Sequence, residues 1–275
     1  MTRRPTRLDK KFDLLREKTE RGALKAASSN RALNKLASNK LAVLGLAFVT
    51  IMILSSVFAP LVTQYDPQKV DLRMMLKPPS ADHILGTDKI GRDVFARIIY
   101  GGRISILVGL GSALGAALIG VSIGAYTAYK GGWLDSTFLR ISEVVMSFPQ
   151  IILVLMLVTI LGQSLMNLII IFTLTGWGSL YRLTRAQMLS LREEEYVQAL
   201  RAFGLNTFTI CFKHILPNAL GPIMVNITLS TAMFILQEAG LSFLGLGVPL
   251  NIPTWGNILN VCLLYTSDAA DEEDS

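Results

Sequence analysis

The sequence predicts an all-α membrane protein that crosses the bilayer several times. Two of the observations behind this are compositional: 51% of the 275 residues are hydrophobic and only 17% are charged. The third is the length of the uncharged runs, Leu41–Val62, Ile104–Tyr129, Val144–Tyr181 and Ile215–Gln237. A hydrocarbon core of roughly 30 Å needs about 20 apolar residues in a helix to cross it. Helices satisfy their backbone hydrogen bonds within one segment, which lipid cannot do for them.

Residues 1–40 come first, with twelve Lys or Arg against the four acids Asp9, Asp13, Glu17 and Glu20. Such an excess places the N-terminus in the cytoplasm and draws the tail toward anionic lipid, with no nucleic-acid partner implied. The polar region before the first apolar run is too long for a cleaved secretory signal. The membrane domain occupies residues 41–260 and holds five spans, because Val144–Tyr181 is long enough for two with a turn at Gly162-Gln163-Ser164. Alternation then puts residues 64–103 outside, Lys130–Arg140 inside, the Gly162 turn outside and residues 191–217 inside. Five of the last eight residues are acidic. The segment 261–275 reads as an atypical soluble tail, a truncation or a foreign sequence.

Within the second span, Gly111, Gly115, Gly120 and Gly124 make two small-xxx-small pairs, which let helices approach closely in lipid. Their partner is either another helix of this chain or a second subunit. Pro149 and Pro222 are expected to kink their helices. Glu143 and Glu238 fall near span ends, where capping or pairing at a subunit contact is expected; Arg140 lies one turn before Glu143. Cys211 and Cys262 are too few for a zinc cluster, and His83 and His214 fall on opposite sides of the membrane, so no metal site or cofactor is expected. No nucleophile, base and orienting group recur at usable spacing, so the chain is not read as an enzyme. A Walker A loop is absent from the sequence, so any ATP hydrolysis belongs to another chain.

Residues 191–217 are the most informative stretch. Tyr196, Ala199, Leu200 and Phe203 fall at i, i+3, i+4 and i+7 along one helical stripe, and Phe208, Cys211, Phe212 and Ile215 repeat the spacing. Ser190 with Glu193 reads as a capping box, Gly204 as the left-handed end of the first helix, and Pro217 as a break after the second. A first helix of about 13 residues is about 20 Å long, so it lies beside the membrane.

The same stretch resembles the cytoplasmic EAA loop of ABC importer permeases, in which EAA is followed by three residues, Gly, nine residues, Ile, one residue and Leu-Pro. Ala199 matches the triplet at Gln198-Ala199-Leu200, Gly204 and Leu216-Pro217 are in register, and His214 stands in place of the Ile. HILGTDKIGRDVFARIIYGGRIS at 83–105, EVVMSFPQIIL at 143–153 and QEAGLSFLGLGVPLNIPTWGNIL at 237–259 resemble the dipeptide, oligopeptide and nickel branch. The resemblance implies a type I-like membrane domain in a bacterial or archaeal cytoplasmic membrane. It implies as partners a second homologous permease, two cytoplasmic ATP-binding subunits and an extracytoplasmic solute-binding protein. It also implies that Glu195, Tyr196, Ala199, Phe203, Gly204, Phe208, Phe212, Leu216 and Pro217 form the loop that couples to the ATPase. Relatives end with one more span, and the eight residues Ile258–Tyr265 cannot supply it. The competing expectation is an ion-coupled carrier or channel without an ATPase, with Glu143 and Glu238 as coupling groups.

Overall fold

A computed structural model describes Asn34 and residues 36–261, so the basic tail up to residue 33 and the acidic segment from 262 lie outside the described residues. Among the described residues there is no β-strand, only an isolated bridge between Thr87 and Asp93. The chain divides into a unit ending at Leu54 and a second beginning at Ser55, which holds the apolar core.

Helix α1 is Lys40–Val57, followed by the short α2, Ala59–Val62. The segment from Thr63 to Asp93 is held by polar contacts. Asp88 accepts from the backbone N–H groups of Ile90 (3.0 Å) and Arg92 (2.9 Å) and from Arg92 Nε (2.7 Å). His83 Nδ1 lies 2.8 Å from Asp93 Oδ2, and its ring packs on Tyr65. Asp93 then starts α3, Val94–Lys130, by accepting from Ala96 N at 2.6 Å. The helix ends at Gly131, whose φ of +70° is open to glycine. Its 37 residues make a rod of about 55 Å, so it extends well past any bilayer core.

Helices α4 (Gly132–Ser147) and α5 (Gln150–Leu161) meet at an angle of 86°. Pro149 causes the break, since the residue before a proline is pushed out of the helical region and Phe148 sits at φ −91°, ψ 138°. The expected kink is therefore a full corner, and Val144 onward is not a fresh span but the end of a helix that began at Gly132. Gly162, at φ +81°, turns the chain into α6, Leu165–Leu191. Ser164 caps α6 through Asn167 N (3.1 Å), and the Asn167 amide reaches back to Gly162 O (3.1 Å). Helix α6 runs well beyond Tyr181, where Arg185 Nε and Nη2 each lie 2.7 Å from the buried carboxylate of Asp135. Arg185→Met, which strands Asp135, is expected to lower stability by about 2 kcal/mol, read as a lower midpoint on heating in detergent.

The last long element is continuous from Thr207 to Phe243. The short α7 (Glu195–Ala202) precedes it across the Gly204 turn, and the element itself comprises α8 (Thr207–Thr209), a π-helical segment (Ile210–Ile215) and α9 (Leu216–Phe243). Pro222 sits inside α9 without ending it. Three helices, Lys40–Val57, Val94–Lys130 and Thr207–Phe243, are long and apolar enough to cross a membrane, and the bent α4–α5 pair makes a fourth if counted as one span. Helix α6 is long but less apolar, since it carries Asn167, Arg182 and Arg185 and has Thr173, Gly176 and Gly178 where it packs on its neighbours.

The core lies where α3, α6 and α9 meet. Phe172 and Phe234 stack at 5.4 Å, and Trp177 meets Tyr181 edge-on at 5.7 Å. All four glycines of the α3 motif face α6. A Cβ on Gly120 would lie 2.5 Å from Trp177 O, one on Gly124 2.8 Å from Tyr181 O, and one on Gly115 2.5 Å from the Thr173 hydroxyl. Gly111 is looser, with Ile169 at 3.6 Å. The partner of this glycine face is thus a helix of the same chain.

Candidate functional site

Residues 191–217 form a compact pair at the ends of α3 and α6, with a different local build from the one the spacing predicts. Ser190 lies inside α6, and Glu193 accepts from Arg192 Nε (2.8 Å) in place of closing a capping box. The helix α6 continues to Leu191 because Arg192 keeps both ends occupied: its N–H bonds Met188 O, and its Nη1 bonds Ala128 O at 2.9 Å. Helix α7 is accordingly only eight residues long, and Glu194 at its start makes no side-chain cap.

The inward face of α7 is Val197, fully buried, with Leu200 half-buried beside it. Arg201 lies over the Tyr129 ring at 5.1 Å and donates Nε–H to its hydroxyl at 3.2 Å. The stripe of Tyr196, Ala199 and Phe203 points the other way, with Phe203 81% and Tyr196 38% exposed. Glu195 is exposed on the same helix. Gly204 has φ +72°, donates to Arg201 O (2.9 Å), and is followed by Leu205 N bonding Leu200 O (3.3 Å), the paired closure of a left-handed helix end.

The second stripe splits in two. Ile210, Cys211 and Ile215 are buried, Phe212 is half-buried, and Phe208 stays 60% exposed with its ring 4.5 Å from that of Phe212. The cause is the π-helical segment, in which the backbone bonds five residues back and a 3.6-residue period no longer aligns side chains. Pro217 does not break the helix as expected. It falls at the junction of the π-helical segment and α9 without ending the helix, and Leu216 N–H bonds Cys211 O five residues back. Leu216 is half-buried and Pro217 exposed. Asn218 Nδ2 ties the two halves together, reaching Tyr196 Oη (3.2 Å) and His214 O (3.1 Å).

The result is a unit with two unlike sides. One is fixed to α3 and α6 by an apolar cluster of Ala125, Ala128, Met188, Val197, Ile210 and Cys211, and by the two arginines. The other presents aromatic side chains that the chain itself does not cover. Sequence spacing found the aromatic side but not the anchoring arginines, because their partners lie on a distant stretch of chain and leave no local pattern.

A second feature lies at the corner between α4 and α5. There α6 and α9 help enclose a cavity of about 510 Å³. Its polar lining is uncharged: Gln150, Thr175, Ser179, Asn226, Ser230 and Gln237. Gln237 Nε2 lies 3.4 Å from Gln150 Oε1, and Gln237 Oε1 is buried without a hydrogen-bond partner among the described residues. Sequence reading passed over these residues, since single amides in apolar runs carry no spacing signal.

The two acids behave differently. Glu143 is exposed and pairs with Arg140 at 2.9 Å. Glu238 is fully buried, which corrects the expectation of pairing at a subunit contact. It accepts from Ser105 Oγ (2.8 Å) and Ser242 Oγ (2.7 Å), because α9 continues past Gln237 to Phe243 and carries it inside. No group of three metal-ligating side chains occurs among the described residues.

Comparison with known proteins assigns the chain to a family. Residues 116–267 match the family model described as binding-protein-dependent transport system inner membrane component, and residues 29–79 match the N-terminal TM domain of oligopeptide transport permease C. The chain is 41% identical to the oligopeptide transport system permease protein OppC of Bacillus subtilis over 82% of its own length and 74% of that protein's. It is 42% identical to the dipeptide transport system permease protein DppC of Alkalihalophilus pseudofirmus, over 83% of this chain and 75% of the relative. A putative peptide permease of Brucella suis is 41% identical over 84% and 76%. The chain belongs to the family of binding-protein-dependent transport system inner membrane components, a membrane transport subunit and not an enzyme.

Proposed function

We propose that this chain is one of two permease subunits of an ATP-driven peptide importer. Its partners are a second permease of the same kind, two ATP-binding subunits on the cytoplasmic side and a solute-binding protein on the other. The N-terminus lies in the cytoplasm, on the side of the helix pair. The observation that carries this reading is the two-sided unit at 191–217: exposed aromatics on a body locked to the spans are what a helix-in-groove contact needs to pass on movement. Glu195, Tyr196, Ala199, Phe203 and Phe208 form the contact, Gly204 sets the angle between the halves, and Phe212, Leu216 and Pro217 join it to α9. Closure of the ATPases moves the unit as one piece and rocks the spans between inward and outward states.

The cavity lined by Gln150, Asn226 and Gln237 forms part of the peptide path. Uncharged amides and hydroxyls bond to a peptide backbone whatever its side chains are, which suits a broad substrate class. The alternative of an ion-coupled carrier is not favoured by the family, and its two acids are taken up by Arg140 and by two serines. The test is uptake of a labelled dipeptide and a labelled oligopeptide by the assembled complex in proteoliposomes. Uptake is expected to require enclosed ATP and the binding protein, and to persist when a protonophore collapses the proton gradient. Uptake that follows the gradient and ignores ATP would reject the importer.

A further inference from the structure

At the C-terminal end of α3, beside the helix pair, lies a second cavity of about 500 Å³ whose chemistry the transport reading leaves unused. Three cations line it, Lys130, Arg192 and Arg201, against one carboxylate, Glu193. That carboxylate is already held by Arg192 Nε at 2.8 Å. Among the described residues Arg201 commits only its Nε–H, to Tyr129 Oη, and a guanidinium has four further N–H donors. The Lys130 side chain makes no hydrogen bond or ion pair among the described residues; its ammonium lies over the Tyr126 ring at 5.7 Å. Thr207 lines the same wall.

The surroundings identify the ligand. The cavity opens where a membrane-crossing helix ends; the half-buried Tyr126 and the 74% exposed Trp133 flank that end in sequence, while Tyr129 is buried in the cavity wall. Aromatic side chains of this kind sit at the level of lipid headgroups. Basic pockets at that depth meet the phosphates of anionic lipids. The walls come from both bodies that meet here, Tyr129 and Lys130 from α3, and Arg201 and Thr207 from the helix pair. We propose that this cavity binds the phosphate of an anionic lipid headgroup, which bridges the helix pair to the end of α3. Lipid retention is independent of the importer reading; an effect on coupling rests on it.

The test uses the full chain in neutral detergent, with phosphatidylglycerol or phosphatidylcholine added and the retained lipid counted by native mass spectrometry. Wild type is expected to retain phosphatidylglycerol preferentially. Lys130→Gln is expected to weaken retention about fivefold, and Lys130→Gln with Arg201→Gln about 25-fold, at about 1 kcal/mol per charge. Lys213→Gln removes an exposed charge from the same unit outside the cavity and should leave retention unchanged. Heating curves of each variant show whether it is folded; if the double variant is not, the single Lys130 variant decides. Equal retention by Lys130→Gln and wild type, or an equal loss with Lys213→Gln, would overturn the site. Binding of inorganic phosphate alone, with no lipid retained, would reject the lipid source. In vesicles, ATP-driven uptake by the complex should rise with phosphatidylglycerol for wild type and not for the Lys130 variant. Absence of any ATP-driven uptake by wild type counts against the importer, not against the lipid site.

Discussion

Alanine at Phe203 and Phe208 together is expected to cut ATP-driven uptake at least tenfold, with the protein still reaching the membrane in normal amount. Phe203 is 81% and Phe208 60% exposed, so the folded chain gains little from either ring apart from the contact between Phe208 and Phe212. Full burial of a Phe side chain against a partner is worth about 1.5–3 kcal/mol, which is about 10- to 150-fold in affinity. The loss should therefore appear in binding of the ATPase and not in thermal stability. Co-purification of the ATP-binding subunits, followed by ATPase rate and uptake on one preparation, separates the two. An ATPase that binds and drives uptake normally in this double variant would place the coupling surface elsewhere.

The second large effect is on folding. Gly120→Leu is expected to leave no folded protein detectable by size exclusion in mild detergent, whereas Gly111→Ala should stay within about 0.5 kcal/mol of wild type. At Gly120 even the first added carbon would sit 2.5 Å from Trp177 O and 2.9 Å from Tyr181 N, both backbone atoms that cannot rotate away. Relief demands that α3 and α6 separate, and overpacking of this kind costs about 1–3 kcal/mol or more. Lipid gives no compensating hydrophobic return, since packing between spans is dispersion and close fit. At Gly111 the new methyl meets Ile169 at 3.6 Å, ordinary contact. Equal tolerance at both positions would mean that α3 and α6 are not in this contact.

What the sequence made legible follows from how local each signal is. The class of fold came from uncharged runs, and Gly204, Gly162 and Ser164 marked real ends because a left-handed residue or a cap acts within one turn. The aromatic residues Tyr196, Phe203 and Phe208 were found by spacing, but which side faced outward was not, since periodicity gives a stripe without a direction. Ser190 and Glu193 misled because a capping pattern has no force when Arg192 extends the preceding helix. Pro217 misled because a π-helical turn before it changes which carbonyl its missing N–H would have met. The Asp135–Arg185 and Arg201–Tyr129 contacts join distant segments, and Glu238 was hidden by the length of α9.

The unbroken helix from Thr207 to Phe243 has a mechanical consequence. Its 37 residues make a lever about 55 Å long, with the helix pair as its short grip and the loop after Phe243 at its far tip. A tilt of about 10° at the grip sweeps the tip through about 10 Å, on the scale of a helix diameter, with no relay of side-chain shifts in between. Stiffness, more than any single contact, then limits how much of a small rotation at one membrane face reaches the other.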